Sequence, residues 1–264
     1  MPTKNTIKAY DNRKFLHSYS ARSLRILSEY MEPDQRLRYL EVARAVIFFG
    51  SARTPRNDKG GYYAAAADLA EKMARWTQAV HPAGERCYIC TGGGPGIMRA
   101  AHEGSARVDP KLNIGFNISL PFEQHLNPCV RPDRAFEFHY FFMRKFWFIN
   151  VAAGAVIFPG GFGTLDEIFE LLTLTQTNKS VRMPIVLYGK KFWSKVINFK
   201  LLVDEGLISP EDLQLFHVVD SVSAAYDILT GSLVVSNAVK DQQIAARKSK
   251  PRRSSKAAPA CRID

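Results

Sequence analysis

The residues with the clearest chemical content are glycines. Thr91-Gly92-Gly93-Gly94-Pro95-Gly96 and Pro159-Gly160-Gly161-Phe162-Gly163 each follow a short apolar run and precede a segment with helical spacing. Glycine lets the backbone approach a ligand closely, and a helix N-terminus offers unpaired N–H groups and a partial positive charge. Two such turns in one chain point to a phosphate or nucleotide site. Neither reads Gly-x-Gly-x-x-Gly and no Gly-Lys-Ser/Thr follows, which excludes the dinucleotide fingerprint and the ATPase-type loop. The second stretch carries more chemistry. Thr164 is placed to cap a helix starting there and to offer its hydroxyl to a phosphate. Asp166 and Glu167 are predicted in that helix's first turn, where a carboxylate also complements the helix dipole, an alternative reading for Asp166 in particular. Glu167, with Glu170 and Thr173 three and six residues on, keeps one helical face polar beside the loop. A carboxylate there can hold ribose hydroxyls, stabilise a cationic sugar or activate water.

The elements that must position these residues alternate. Ala45 to Gly50, Cys87 to Cys90, Asn113 to Leu120, Ala155 to Phe158 and Pro184 to Tyr188 read as buried strands. Between them, 61–79, 97–108, 141–153 and 164–176 read as helices, with further helices near 191–205 and 221–230. Residues 121–135, with Pro121, Pro128 and Pro132, read as a loop. Apolar strands alternating with helices imply a parallel sheet covered on both faces, and right-handed crossovers make it an open, doubly wound, Rossmann-like α/β sheet. The predicted organisation is a helical extension over 1–41, a nucleotide-binding domain over 42–232, and a basic tail over 233–264. Within the extension, Phe15, Tyr19, Leu24, Leu27, Tyr30 and Met31 recur at helical spacing across 12–40. That apolar surface is suited to packing on the domain or on a partner.

Hydrophobic residues make up 46% of the 264 and charged residues 23%, the balance of a globular chain. The formal net charge of +11 invites nucleic acid as a partner. The excess sits at the two ends, however, and 46–239 are close to neutral, so nucleic acid is not the expected partner. The lysine- and arginine-rich tail reads as solvated. No apolar run approaches a membrane span, and the polar start lacks the apolar core of a signal peptide. Four scattered cysteines suit a reducing compartment, and the cytoplasm is expected. Cys87-x-x-Cys90 reads as strand packing, since it does not open a helix as redox motifs do. No metal site is expected, because no second Cys/His pair lies at zinc spacing.

Pro159-Gly160-Gly161-Phe162-Gly163-Thr164-Leu165-Asp166-Glu167 resembles the Pro-Gly-Gly-x-Gly-Thr-x-x-Glu signature of the Lonely Guy (LOG) family. Gly50-Ser51, Gly92-Gly93-Gly94-Pro95-Gly96-Ile97-Met98 and Arg144-Lys145 support the resemblance in order, over roughly 42–230. The resemblance implies an enzyme that hydrolyses the N-glycosidic bond of a nucleoside 5′-monophosphate, AMP or a cytokinin riboside 5′-monophosphate, to free base and ribose 5-phosphate without a cofactor. It implies Arg144 and Glu167 as catalytic residues. Around the substrate it places Gly50, Ser51, Gly93, Gly94, Met98, Lys145, Gly160, Gly161, Gly163, Thr164 and Asp166, with Glu123 on the base side and Thr173 within reach. It also implies a homodimer or an assembly of dimers. The N-terminal helix, the basic tail and the aromatic run Tyr140-Phe141-Phe142 depart from the family pattern. A nucleotide or cofactor carrier of the same fold, and a DNA-binding relative using the basic ends, are the alternatives.

Overall fold

The computed structural model describes residues 6–120 and 125–233. Glu123 and the tail from 234 onward lie outside the described residues. Seven parallel strands form one sheet in the order β4-β3-β2-β1-β5-β6-β7. The strands are β1 (Arg44–Phe49), β2 (Cys87–Thr91), β3 (Asn113–Ile118), β4 (Ala135–Phe138), β5 (Ala152–Ile157), β6 (Ile185–Tyr188) and β7 (His217–Val219). The helices are α1 (Arg13–Leu16), α2 (Arg22–Tyr39), α3 (Tyr62–Val80), α4 (Ile97–Ala106), α5 (Phe141–Val151), α6 (Phe162–Gln176), α7 (Lys190–Val196), α8 (Phe199–Asp204) and α9 (222–233).

The doubly wound reading holds because the strands are apolar on both faces. In β1, Ala45, Ile47 and Phe49 join a core with α5 and α6 through Trp147, Phe148, Ile168 and Leu171. Val46 and Phe48 join a second core on the opposite face, with Ala66, Leu69 and Met73 of α3 and Ile97 of α4. Cys87 and Cys90 fall in opposite cores and both are buried, so they are packing residues that cannot meet each other. Two edge strands were not foreseen. β4 begins at the last residue of the expected 121–135 loop and runs beyond it, and β7 is only three residues long.

The extension is not one helix over 12–40. It breaks at 17–21 and resumes as α2. Pro33 lies inside α2 without ending it. Leu24, Leu27, Tyr30 and Met31 remain exposed. No helix among the described residues is long and apolar enough to cross a membrane.

The chain winds outward from β1 through β2 and β3 to β4. It then returns through α5 to β5, on the other side of β1. The strand order reverses between β1 and β5, and this is the crevice where open α/β sheets bind ligands.

Candidate active site

At that crevice lies a cavity of about 720 Å³. The loop after β1 contributes Gly50, Ser51 and Arg53. Gly92 and Met98 enter from the loop after β2 and from α4, Ile118 from the end of β3, Leu120 from just beyond it, and Phe141 and Arg144 from α5. The start of α6 supplies Gly161 through Glu167. Backbone hydrogen bonds tie these loops together: Ser51 N–H donates to Pro159 C=O at 3.0 Å and Ile97 N–H to Ser51 C=O at 3.1 Å.

The helix at the second glycine loop begins two residues earlier than expected. Gly161 is its N-cap, Phe162 its first residue, and no side chain caps it. Leu165 N–H makes the first helical bond, to Gly161 C=O at 3.0 Å, so helix geometry leaves the N–H groups of Phe162, Gly163 and Thr164 without internal acceptors. Thr164 is therefore a buried first-turn residue on the cavity wall and not the cap. Gly160 lies behind it, and any Cβ there would collide with the Thr164 side chain. Asp166 and Glu167 fall in the second turn, too far along to act on the dipole, which falls off within the first turn. This removes the alternative reading of Asp166 as a dipole partner.

Glu167 is only 7% exposed. Burial pushes its carboxyl up to about 7; the positive charge of Arg144 pulls the other way, and Glu170 and Asp166 add to the rise. Arg144 is held by its Nε, which donates to Phe116 C=O at 2.8 Å, and its guanidinium lies over the Phe148 ring at 5.1 Å. Desolvation presses its pKa down while Glu167 opposes. A Cβ on Gly92 would strike Arg144 Nη2, so only glycine leaves room there for the guanidinium. The site thus sets a buried carboxyl and a half-buried guanidinium on one cavity wall, beside an anion-receptive helix start.

Several expected residues lie elsewhere. Lys145 does not line the cavity. Its Nζ sits 2.9 Å from Asp166 Oδ1 and 3.1 Å from Glu170 Oε2, bracing α5 against α6. Thr173 lines a separate hollow of about 110 Å³ with Phe199 and Phe216. Gly93 and Gly94 are anchors. Gly93 C=O accepts from Asn127 N–H at 2.8 Å, and Asn127 Nδ2 donates to the carbonyls of Gly93 and Gly94 at 3.0 and 3.2 Å. Arg53, Gly92, Phe141 and the 93% exposed Phe162 are cavity residues that the sequence reading did not single out. Arg53 stands two residues beyond Gly50-Ser51, and that closeness was the available signal. Among the described residues no cluster of His, Cys, Asp and Glu could hold a metal ion.

The Asn127 anchor rests on a fully buried histidine. His102 Nε2 lies 3.2 Å from Ile114 C=O and Nδ1 lies 3.1 Å from Asn127 Nδ2. This network assigns the proton to Nε2, with Nδ1 accepting. Burial lowers its pKa to about 4. The unfolded chain takes up this proton near 6.5 and the folded one only near 4, so the neutral histidine's contribution is lost as pH falls between those values. It amounts to roughly 3 kcal/mol over the whole window. Glu167 acts oppositely over about 4.5–7, so the loss is expected to show most cleanly in Glu167→Gln. Urea unfolding of that variant at pH 7.5 and 4.5 checks it, and equal stabilities would refute it.

Fold and site together define an open α/β protein with an anion-receptive helix start, a buried carboxyl and a half-buried guanidinium at its switch point. The model of the family described as "possible lysine decarboxylase" matches residues 95–229, and the chain belongs to that family, the LOG family that its signature resembles. A pyrimidine/purine nucleotide 5′-monophosphate nucleosidase of Escherichia coli K12 is 34% identical over 117 residues, as is that of strain O157:H7. The match covers 39% of this chain and only 24% of those relatives' length. A molybdenum cofactor binding protein from Rippkaea orientalis superposes with a TM-score of 0.48 at 16% identity, covering 71% of this chain and 96% of that one. The molybdenum cofactor carrier protein of Chlamydomonas reinhardtii does so with a TM-score of 0.45 at 17% identity, covering 72% and 99%.

Proposed function

We propose that residues 42–232 form a catalytic unit that hydrolyses the N-glycosidic bond of nucleoside 5′-monophosphates, releasing base and ribose 5-phosphate. The observation that carries this reading is the buried Glu167, one turn beyond an uncapped helix start and in the same cavity as the half-buried Arg144. The free N–H groups of Phe162, Gly163 and Thr164, with the Thr164 hydroxyl, receive the 5′-phosphate. Arg53 lines the same cavity. The ribose then falls beside Glu167. As the C1′–N bond breaks, its electron pair leaves with the base and positive charge develops on the sugar, which the Glu167 carboxylate stabilises. Arg144 balances the charge gathering on the base. Water adds to C1′ and its proton ends on the base, so the reaction balances without a cofactor. The apolar wall of Ile118, Leu120 and Phe141 suits a purine, either adenine or an isoprenoid adenine. The exposed face of α2 is the surface we assign to a second copy of the chain.

The test is incubation with AMP, followed by chromatography for adenine and an assay for ribose 5-phosphate. Equimolar release of both is expected. Binding of AMP without release would make the protein a carrier and sink the hydrolase reading.

A further inference from the structure

We propose that Glu29, in the N-terminal extension, is a positioning residue for Arg144, acting through the start of α5; this rests on the functional reading above. Pro33 lies inside α2, four residues after Glu29. A proline inside a helix has no N–H to give to the carbonyl four residues back, so Glu29 C=O is left without its helical partner. Trp147 of α5 takes that carbonyl, its Nε1 donating at 2.8 Å. The Glu29 side chain meets the same helix at its beginning: Oε1 accepts from His139 N–H at 2.9 Å and Oε2 from Tyr140 N–H at 3.2 Å. Tyr140 is the N-cap of α5, and its own side chain makes no capping bond. An anion at that end also complements the helix dipole. Tyr30 adds ring contacts to Phe146 and Trp147 at 5.5 and 5.9 Å. One half-buried residue thus grips α5 at its N-cap and, through its backbone carbonyl, about two turns further on at Trp147. Arg144 lies between those two points.

Glu29 is therefore part of the machinery that aims the guanidinium, although no described residue of the extension lines the cavity. Arg144 holds down the carboxyl of Glu167 against burial, Glu170 and Asp166, with Lys145 assisting. Letting Arg144 drift should both slow the chemistry and raise the pH at which Glu167 ionises.

The experiment compares Glu29→Ala, Glu29→Gln and Leu37→Ala in the full chain. Leu37 is a core residue of α2, 3% exposed, and its truncation destabilises the extension without touching the Glu29 bonds. Well below each variant's melting temperature, Glu29→Ala is expected to lower kcat for AMP about tenfold with KM within twofold, and to move the ionisation limb of the rate profile to higher pH. Glu29→Gln keeps one acceptor and is expected to fall between. Leu37→Ala is expected to melt earlier with an unchanged kcat and limb. Hydrogen exchange at 139–145, read without substrate, is expected to quicken in Glu29→Ala and not in Leu37→Ala. An unchanged limb in Glu29→Ala, or equal kcat losses in Glu29→Ala and Leu37→Ala, would overturn the proposal. If the wild type does not cleave AMP, the functional reading fails, and the exchange data alone decide whether Glu29 holds α5.

Discussion

Glu167→Gln is expected to lower kcat for AMP by at least ~10²-fold, the scale of losing one group that stabilises transition-state charge. The amide is nearly isosteric and removes only the ionisable oxygen. Two further readouts separate this from damage to the fold. The wild-type rate should climb with pH as the carboxyl ionises, with its midpoint near the value of about 7 that burial imposes, and the variant should lack that limb. Stability should move the other way. A carboxyl whose folded pKa is raised contributes stability below its unfolded pKa and loses it as pH rises through the folded one. At pH 8 the wild type carries a buried, ionised Glu167, whereas the variant carries a neutral amide. The variant's melting temperature at pH 8 is therefore expected to equal or exceed that of the wild type. Wild-type activity in the variant would transfer the role to Asp166 or elsewhere.

Adenosine is expected to be a poorer substrate than AMP by about 10³-fold or more in kcat/KM. Hydrogen bonds to a charged group are worth about 1.5–3 kcal/mol each, and removing the phosphate forfeits two or three of them at the start of α6. Binding energy remote from the reacting bond also positions that bond, so kcat itself should fall and not only KM. Inorganic phosphate and ribose 5-phosphate should compete with AMP, more strongly at low ionic strength. Steady-state kinetics on the two substrates decide the matter, and comparable kcat/KM values would reject the assignment of Gly161 to Thr164 as a phosphate cradle.

How much of this was legible in the sequence follows from the range of the signals. The central strands are apolar runs of five or six residues between helices, and the glycine turns mark their ends, so the sheet and the phosphate-side half of the site could be read directly. Arg144 and Glu167 came with the signature. The start of α6 was misplaced because Phe162-Gly163 reads as loop by composition, while the uncapped Gly161 carries no capping side chain to mark the boundary. β4 and β7 were missed because three or four residues contain no usable periodicity. Lys145 and Thr173 could not be sorted from the true lining, since their neighbours Asp166, Glu170, Phe199 and Phe216 come from other helices or lie further along the chain. Arg53 and Gly92 needed the fold to bring the β1 and β2 loops to one crevice.

The central position of β1 also bears on how the chain assembles during synthesis. Its partner on one side, β2, emerges early, whereas on the other side Phe49 pairs with Ile157. Until β5 leaves the ribosome, this largely apolar central strand presents an open edge of N–H and C=O groups, the kind of surface that recruits other chains. The loops joined by Ser51 N–H and Pro159 C=O follow these same two strands. The site therefore closes in the same step that covers this edge, and a nascent chain that stalls before β5 is both inactive and prone to associate.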